Sequence, residues 1–129
     1  MKTILTVIVL ILAALAVLYL TSAKKGTSLM PPDSFKQAHQ KNPGTVIDVR
    51  TQREYEGGHL KIADHNFDLI SGIFEDKLAS LNKQETYYLY CRTGSRSGKA
   101  ASIMADSGFT NVYNVGGFES LVNAGFEAK

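Results

Sequence analysis

The chain has 129 residues, 44% of them hydrophobic, with 14 Lys and Arg against 12 Asp and Glu and a formal net charge of +2. That length holds one domain, and the near balance of charge gives no reason to invoke nucleic acid or a strongly anionic surface as a partner. A single cysteine excludes an internal disulfide.

The first element is apolar. Lys2 is followed by residues 4–20 without a charge, then by Thr21-Ser22-Ala23 and the pair Lys24-Lys25. As a helix at ~1.5 Å per residue the uncharged run spans about 25 Å, against a hydrocarbon core of ~30 Å. Residues 1–23 therefore read as a signal peptide or an N-terminal membrane anchor. The small residues before a cut after Ala23 match secretory processing, whereas Lys24-Lys25 directly behind them match retention on the cytoplasmic side. The expectation is an exported protein, periplasmic or membrane-anchored, holding the membrane through residues 4–20 if uncleaved. The alternative is an inner-membrane anchor with a cytoplasmic domain. In an oxidising compartment a free thiol is exposed to damage, so an exported lone cysteine is one that is used.

Residues 24–29 form a polar, glycine-containing linker, and residues 30–129 the folded domain. Pro31-Pro32 punctuates the chain, and Asp33 is placed to cap a helix over residues 34–40 with Phe35 and Ala38 on one face. Asn42-Pro43-Gly44 marks a turn. Residues 45–49 are β-branched and apolar, as a buried strand of a parallel sheet requires. Ile73, Phe74, Leu78 and Leu81 recur at helical spacing. A second strand over residues 86–90 runs straight into Cys91. A helix over 95–106 puts Ala100, Ile103 and Met104 on one stripe and ends at Ser107-Gly108. A short strand over 112–115 and a helix over 118–124 follow. Strands alternating with helices predict an α/β fold, a small parallel-stranded sheet flanked by helices on both faces. Such sheets bind ligands beyond the carboxyl ends of their strands, which is where Cys91 lies.

Cys91 opens the loop Cys91-Arg92-Thr93-Gly94-Ser95-Arg96, a lone thiol beside two guanidiniums and the amides that begin a helix. The reactive form of cysteine is the thiolate, and a free thiol titrates near ~8.5. Fixed charge on Arg92 and Arg96, and the helix N-terminus, both favour the thiolate. Gly94 lets the backbone turn tightly and leaves no Cβ where an anion must approach. Inert cysteines sit in apolar surroundings, so these neighbours argue for a nucleophile in an anion cradle.

Cys-x-x-Gly-x-Arg between a strand and a helix resembles the active-site loop of the rhodaneses, the thiosulfate sulfurtransferase domains. Two further segments agree in order: Asp48-Val49-Arg50 with Glu54-Tyr55 and Gly58-His59-Leu60, and Asn114-Val115-Gly116-Gly117-Phe118. Together the three motifs cover roughly residues 28–126 and resemble the single-domain, exported members; any one alone would be weak. The resemblance implies a rhodanese-like fold and a two-step reaction. The Cys91 thiolate takes the outer sulfur of thiosulfate or another sulfane-sulfur donor, and the resulting persulfide passes it to cyanide or a thiol acceptor. It implies Cys91 as the catalytic residue and Arg92, Thr93, Gly94, Ser95 and Arg96 as the substrate-binding loop. Four residues separate Cys91 from Arg96, whereas related phosphatases and arsenate reductases place five. The resemblance implies that the shorter ring suits a persulfide better than a tetrahedral phosphate. An arsenate reductase or phosphatase-like enzyme, and a non-catalytic sulfur carrier or binding module, are the alternatives.

Asp48, Arg50, Glu54 and His59 are expected to brace the loop. Charged residues near strand ends are usually paired, and a thiolate formed by local charge needs no general base. No metal or organic cofactor is expected, because His39, His59 and His65 are scattered and no second cysteine completes a soft site. The chain is expected to be a monomer. It departs from the family over residues 61–68, where many rhodaneses carry Pro-Gly-Ala and a later Asn-Ile-Pro, so the rim of the site differs. Phe118 stands where tryptophan is common in the family, a packing change of little functional weight.

Overall fold

The computed structural model describes residues 1–22 and 29–129; the expected cut after Ala23 and nearly all of the 24–29 linker lie outside the described residues. Helix α1, Lys2–Ser22, has 21 residues. It includes the polar residues on both sides of the uncharged run, so at ~1.5 Å per residue it reaches about 30 Å, the thickness of a hydrocarbon core. Its stretch Lys2–Tyr19 has a mean hydropathy of 2.4, and none of that stretch is buried. Composition and length suit a membrane span and a signal sequence alike.

The remaining elements are α2 (Pro32–Lys41), β1 (Thr45–Asp48), α3 (Gln52–Glu56), β2 (His65–Asn66), α4 (Ile73–Leu78), β3 (Thr86–Cys91), α5 (Ser95–Asp106), β4 (Asn111–Gly117) and α6 (Phe118–Asn123). The strands form one sheet in the order β2-β1-β3-β4, with every pairing parallel. The expected α/β architecture is the one observed.

Period-two alternation divides the core in two. Ile47, Val49, Tyr87, Leu89 and Cys91 face α4 and α5, packing with Phe74, Ala100, Ala101 and Met104. Val46, Tyr88, Tyr90 and Val115 face α2 and α6, packing with Phe35 and Leu121. Residues 87–91 are all buried, which is why β3 reads as a continuous apolar and aromatic run.

Several boundaries differ from the sequence expectation. Helix α2 begins at Pro32, with Pro31 at the N-cap and no side-chain cap bond, so Asp33 lies in the first turn. Proline's fixed φ is already that of a first helical residue, and no cap from Asp33 is required. Helix α4 ends at Leu78, although Leu81 still packs against the core. Strand β4 continues through Gly117 and is bulged: Leu89 pairs with Asn114, but Tyr90 pairs with Gly116. Helix α3 and strand β2 were not apparent in the sequence. The first is opened by a capping box, with Thr51 Oγ1 accepting from the Glu54 amide at 3.2 Å and Glu54 Oε2 accepting from the Thr51 amide at 3.0 Å.

Candidate active site

Cys91 ends β3 at 1% exposure. In the strand order β2-β1-β3-β4 the chain direction across the sheet reverses between β1 and β3, and the loop after β3 stands over that switch point. Two glycines let the loop lie there. Gly94, at φ 99°, occupies the N-cap of α5 in the left-handed region. Gly117 ends β4 so close to the loop that a Cβ on it would meet the Arg92 carbonyl oxygen at 2.5 Å.

Donors converge on the sulfur. The Gly94 amide donates to Cys91 Sγ at 3.0 Å, and Ser97 Oγ lies 3.4 Å from it. Burial pushes the Cys91 thiol up, but the Ser97 hydroxyl and the amides of Ser97, Thr93 and Gly94 outweigh it and hold the thiol below its ordinary value. Ser97 is itself fully buried, with its Oγ 2.7 Å from Asn114 Oδ1. Asn114 Nδ2 donates to the Gly94 carbonyl at 3.0 Å, and the Gly116 amide donates to Asn114 Oδ1 at 3.1 Å. Neither Ser97 nor Asn114 stood out as a site residue in the sequence. Only a hydroxyl just beyond Arg96 pointed to the first, and 17 residues separate the second from it.

The surrounding charges are mostly paired. Arg96 donates through Nη1 and Nη2 to the two Glu54 oxygens at 2.7 and 2.8 Å, which ties α5 to α3. That guanidinium holds the Glu54 carboxyl at about 2, against the opposing pull of burial and with help from Thr51. Asp48 is fully buried and bonded to Arg50, whose Nη2 reaches Asp48 Oδ2 at 2.7 Å and the Gly58 carbonyl at 2.6 Å. Burial lowers the Arg50 guanidinium, and Asp48 and Tyr90 together more than restore it. The same guanidinium lies over the Phe118 ring at 4.5 Å and the Tyr90 ring at 5.7 Å.

His59 stands apart from these groups. Its ring stacks on Tyr55 at 3.7 Å, its Nδ1 lies 2.9 Å from the Tyr55 carbonyl, and among the described residues no hydrogen bond joins it to the Cys91 loop. Arg92, Thr93 and Ser95 are exposed. Arg92 and Arg53 enter no ion pair among the described residues. Both line a recess of about 490 Å³, together with Arg50, Glu54, Thr93, Phe118 and Glu119.

The model of the rhodanese-like domain matches residues 31–124. The uncharacterized protein YqhL of Bacillus subtilis is 30% identical over 117 residues, covering 87% of this chain and 89% of that one. Thiosulfate sulfurtransferase PspE of Escherichia coli is 30% identical over 77 residues, covering 58% of this chain and 71% of its own. A solved structure described as rhodanese with anions, from E. coli, superposes with a TM-score of 0.57 at 29% identity, covering 66% of this chain and 95% of that one. With its parallel sheet and its cysteine loop at the switch point, the chain belongs to the rhodanese-like family, and residues 31–124 are a rhodanese domain of a sulfurtransferase-type enzyme.

Proposed function

We propose that the protein is a thiosulfate sulfurtransferase working through a persulfide on Cys91. The observation that carries this reading is the Gly94 amide 3.0 Å from a sulfur that is buried yet held below its ordinary pKa. A thiolate there attacks the outer sulfur of thiosulfate. The new S–S bond forms as the donor's own S–S bond breaks, and sulfite leaves with the electron pair. The loop amides that favour the thiolate also suit the charge of the persulfide. In the second step cyanide or a thiolate attacks the outer sulfur, and Cys91 departs as thiolate.

Roles follow from the pairing. Arg53 and Arg92 have no carboxylate partner among the described residues and line the recess, so they attract the dianionic donor and its sulfite product. Asp48, Arg50, Glu54 and Arg96 brace the loop through their ion pairs, and the loop amides bind the transferred sulfur. Residues 1–23 anchor or export the domain formed by residues 30–129.

The test is the intact mass of the full chain, reduced, freed of reductant and mixed with thiosulfate. A gain of one sulfur atom is expected, absent in Cys91→Ala and removed by cyanide as thiocyanate or by a small thiol. No gain at a saturating donor concentration overturns the proposal. Gain without discharge by either acceptor supports a sulfur carrier instead.

A further inference from the structure

We propose that Asn114 is a positioning residue for the nucleophile, its side-chain amide holding both the hydroxyl and the backbone amide that face Cys91 Sγ. This rests on the reading of Cys91 as the nucleophile. Asn114 Nδ2 donates to the Gly94 carbonyl at 3.0 Å, and the amide of that same Gly94 donates to the sulfur at 3.0 Å. Asn114 Oδ1 lies 2.7 Å from Ser97 Oγ, which stands 3.4 Å from the sulfur. The residue is itself fixed, since the Gly116 amide donates to Oδ1 at 3.1 Å and the Met30 amide to its carbonyl at 2.7 Å.

The arrangement serves both protonation states. Ser97 has one hydroxyl proton and two acceptors within reach. With a thiol, the Cys91 S–H points to Ser97 Oγ and the Ser97 O–H donates to Asn114 Oδ1. When the Cys91 proton leaves to solvent, the Ser97 O–H turns to the thiolate; Asn114 Oδ1 gives up that hydrogen bond but keeps the Gly116 amide, and Asn114 acts on the thiolate through Nδ2 and the Gly94 peptide, whose amide faces the sulfur. Among the described residues no buried side-chain polar atom is left without a partner. The same turn of the hydroxyl meets the charge returning to Sγ as a persulfide is discharged.

The other charges near the sulfur are Arg96 on α5 with its partner Glu54, Arg92 in the loop, and Asp48 and Arg50 at the end of β1; the neighbour from α4 is the apolar Phe74. None of the charged groups bonds to the Asn114 side chain, so changing that residue leaves their ion pairs in place.

The test is the pH dependence of iodoacetamide alkylation of Cys91, in the full chain held in detergent. Asn114→Ala and Ser97→Ala are each expected to raise the midpoint by about 1 pH unit and to slow alkylation at neutral pH by about fivefold to tenfold. Ser97→Thr, which keeps the hydroxyl, restores the wild-type midpoint. The double variant is expected to lie above either single variant, because the Ser97 hydroxyl and the Gly94 amide reach the sulfur separately. A midpoint in Asn114→Ala that is unchanged or lowered overturns the proposal. If thermal melting shows Asn114→Ala unfolded, Asn114→Ser decides, because its hydroxyl can still accept from the Gly116 amide but is too short to hold the Gly94 carbonyl; an unchanged or lowered midpoint there overturns the proposal. Alkylation is read without thiosulfate, so a wild-type protein that takes no sulfur counts against the donor and not against Asn114.

Discussion

At the scale of single residues the site is governed by which groups have partners. A cysteine at 1% exposure is ordinarily harder to ionise than one in water, and here hydrogen-bond donors reverse that tendency. The arginine nearest in purpose, Arg96, spends both terminal nitrogens on Glu54, so it positions α5 as much as it charges the loop. Asp48 and Arg50 are a second committed pair, both nearly out of water. Asp48→Ala strands the Arg50 guanidinium without its anion and is expected to cost about 3–5 kcal/mol, whereas replacing both residues by apolar ones of similar size costs less. Urea denaturation checks the pair, and equal losses in the two variants would mean that the ion pair is not what Asp48 supplies. Gly117 sets a different limit, because its Cβ would fall 2.5 Å from the Arg92 carbonyl oxygen, which is backbone and does not yield cheaply. Gly117→Ala is expected to cost about 1–3 kcal/mol and to slow persulfide loading at least tenfold by moving the loop amides off the sulfur. Loading at the wild-type rate in a folded Gly117→Ala protein would show that the loop tolerates the shift.

Between elements, the link with a measurable signature is the one from α3 to α5 through Glu54 and Arg96. The Glu54 carboxyl titrates at about 2 in the folded protein against an ordinary 4.5. A depressed carboxylate contributes stability that is complete above its unfolded pKa and is lost as pH falls toward its folded one. The stability difference between wild type and Glu54→Gln is therefore expected to be on the order of 1–3 kcal/mol at neutral pH, since the pair is partly solvated, and to shrink between pH 4.5 and about 2. Denaturation of both proteins across that window checks it; a difference that does not change with pH would mean that the carboxylate is not the source. The same junction shows what the sequence made legible. Strand β3 was visible as an unbroken apolar and aromatic run and helix α5 because it is long enough to display its period, and the anion cradle was visible because its parts are neighbours in the chain. Helix α3 has five residues and β2 has two, too few for a period, although Thr51-x-x-Glu54 was a readable start signal. Ser97 and Asn114 escaped because their partnership exists only once β4 lies beside β3 and α5 covers both.

For the whole molecule, the domain buries none of the stretch Lys2–Tyr19 of helix α1. The chain rejoins the fold at Leu29 and Met30, and it does so behind the active-site loop. Leu29 forms a parallel bridge with Asn114, the Met30 amide donates to the Asn114 carbonyl at 2.7 Å, and Leu29 Cδ1 lies 3.4 Å from where a Cβ on Gly116 would stand. This short strap belongs to the domain, whereas none of the stretch Lys2–Tyr19 before it is buried. Two truncations separate the parts. A chain beginning at residue 24 keeps the strap and is expected to match the full chain in thermal stability and in persulfide loading. A chain beginning at residue 31 loses the backbone hydrogen bond from Met30 to Asn114 and the cover over Gly94 and Gly116, at a cost of about 1–3 kcal/mol. Its loading should also slow, because Asn114 is then held from one side only. Melting temperature and loading rate, measured on both, decide the matter: equal behaviour would mean that the strap is incidental, and loss already at residue 24 would mean that the folded domain needs its apolar helix after all.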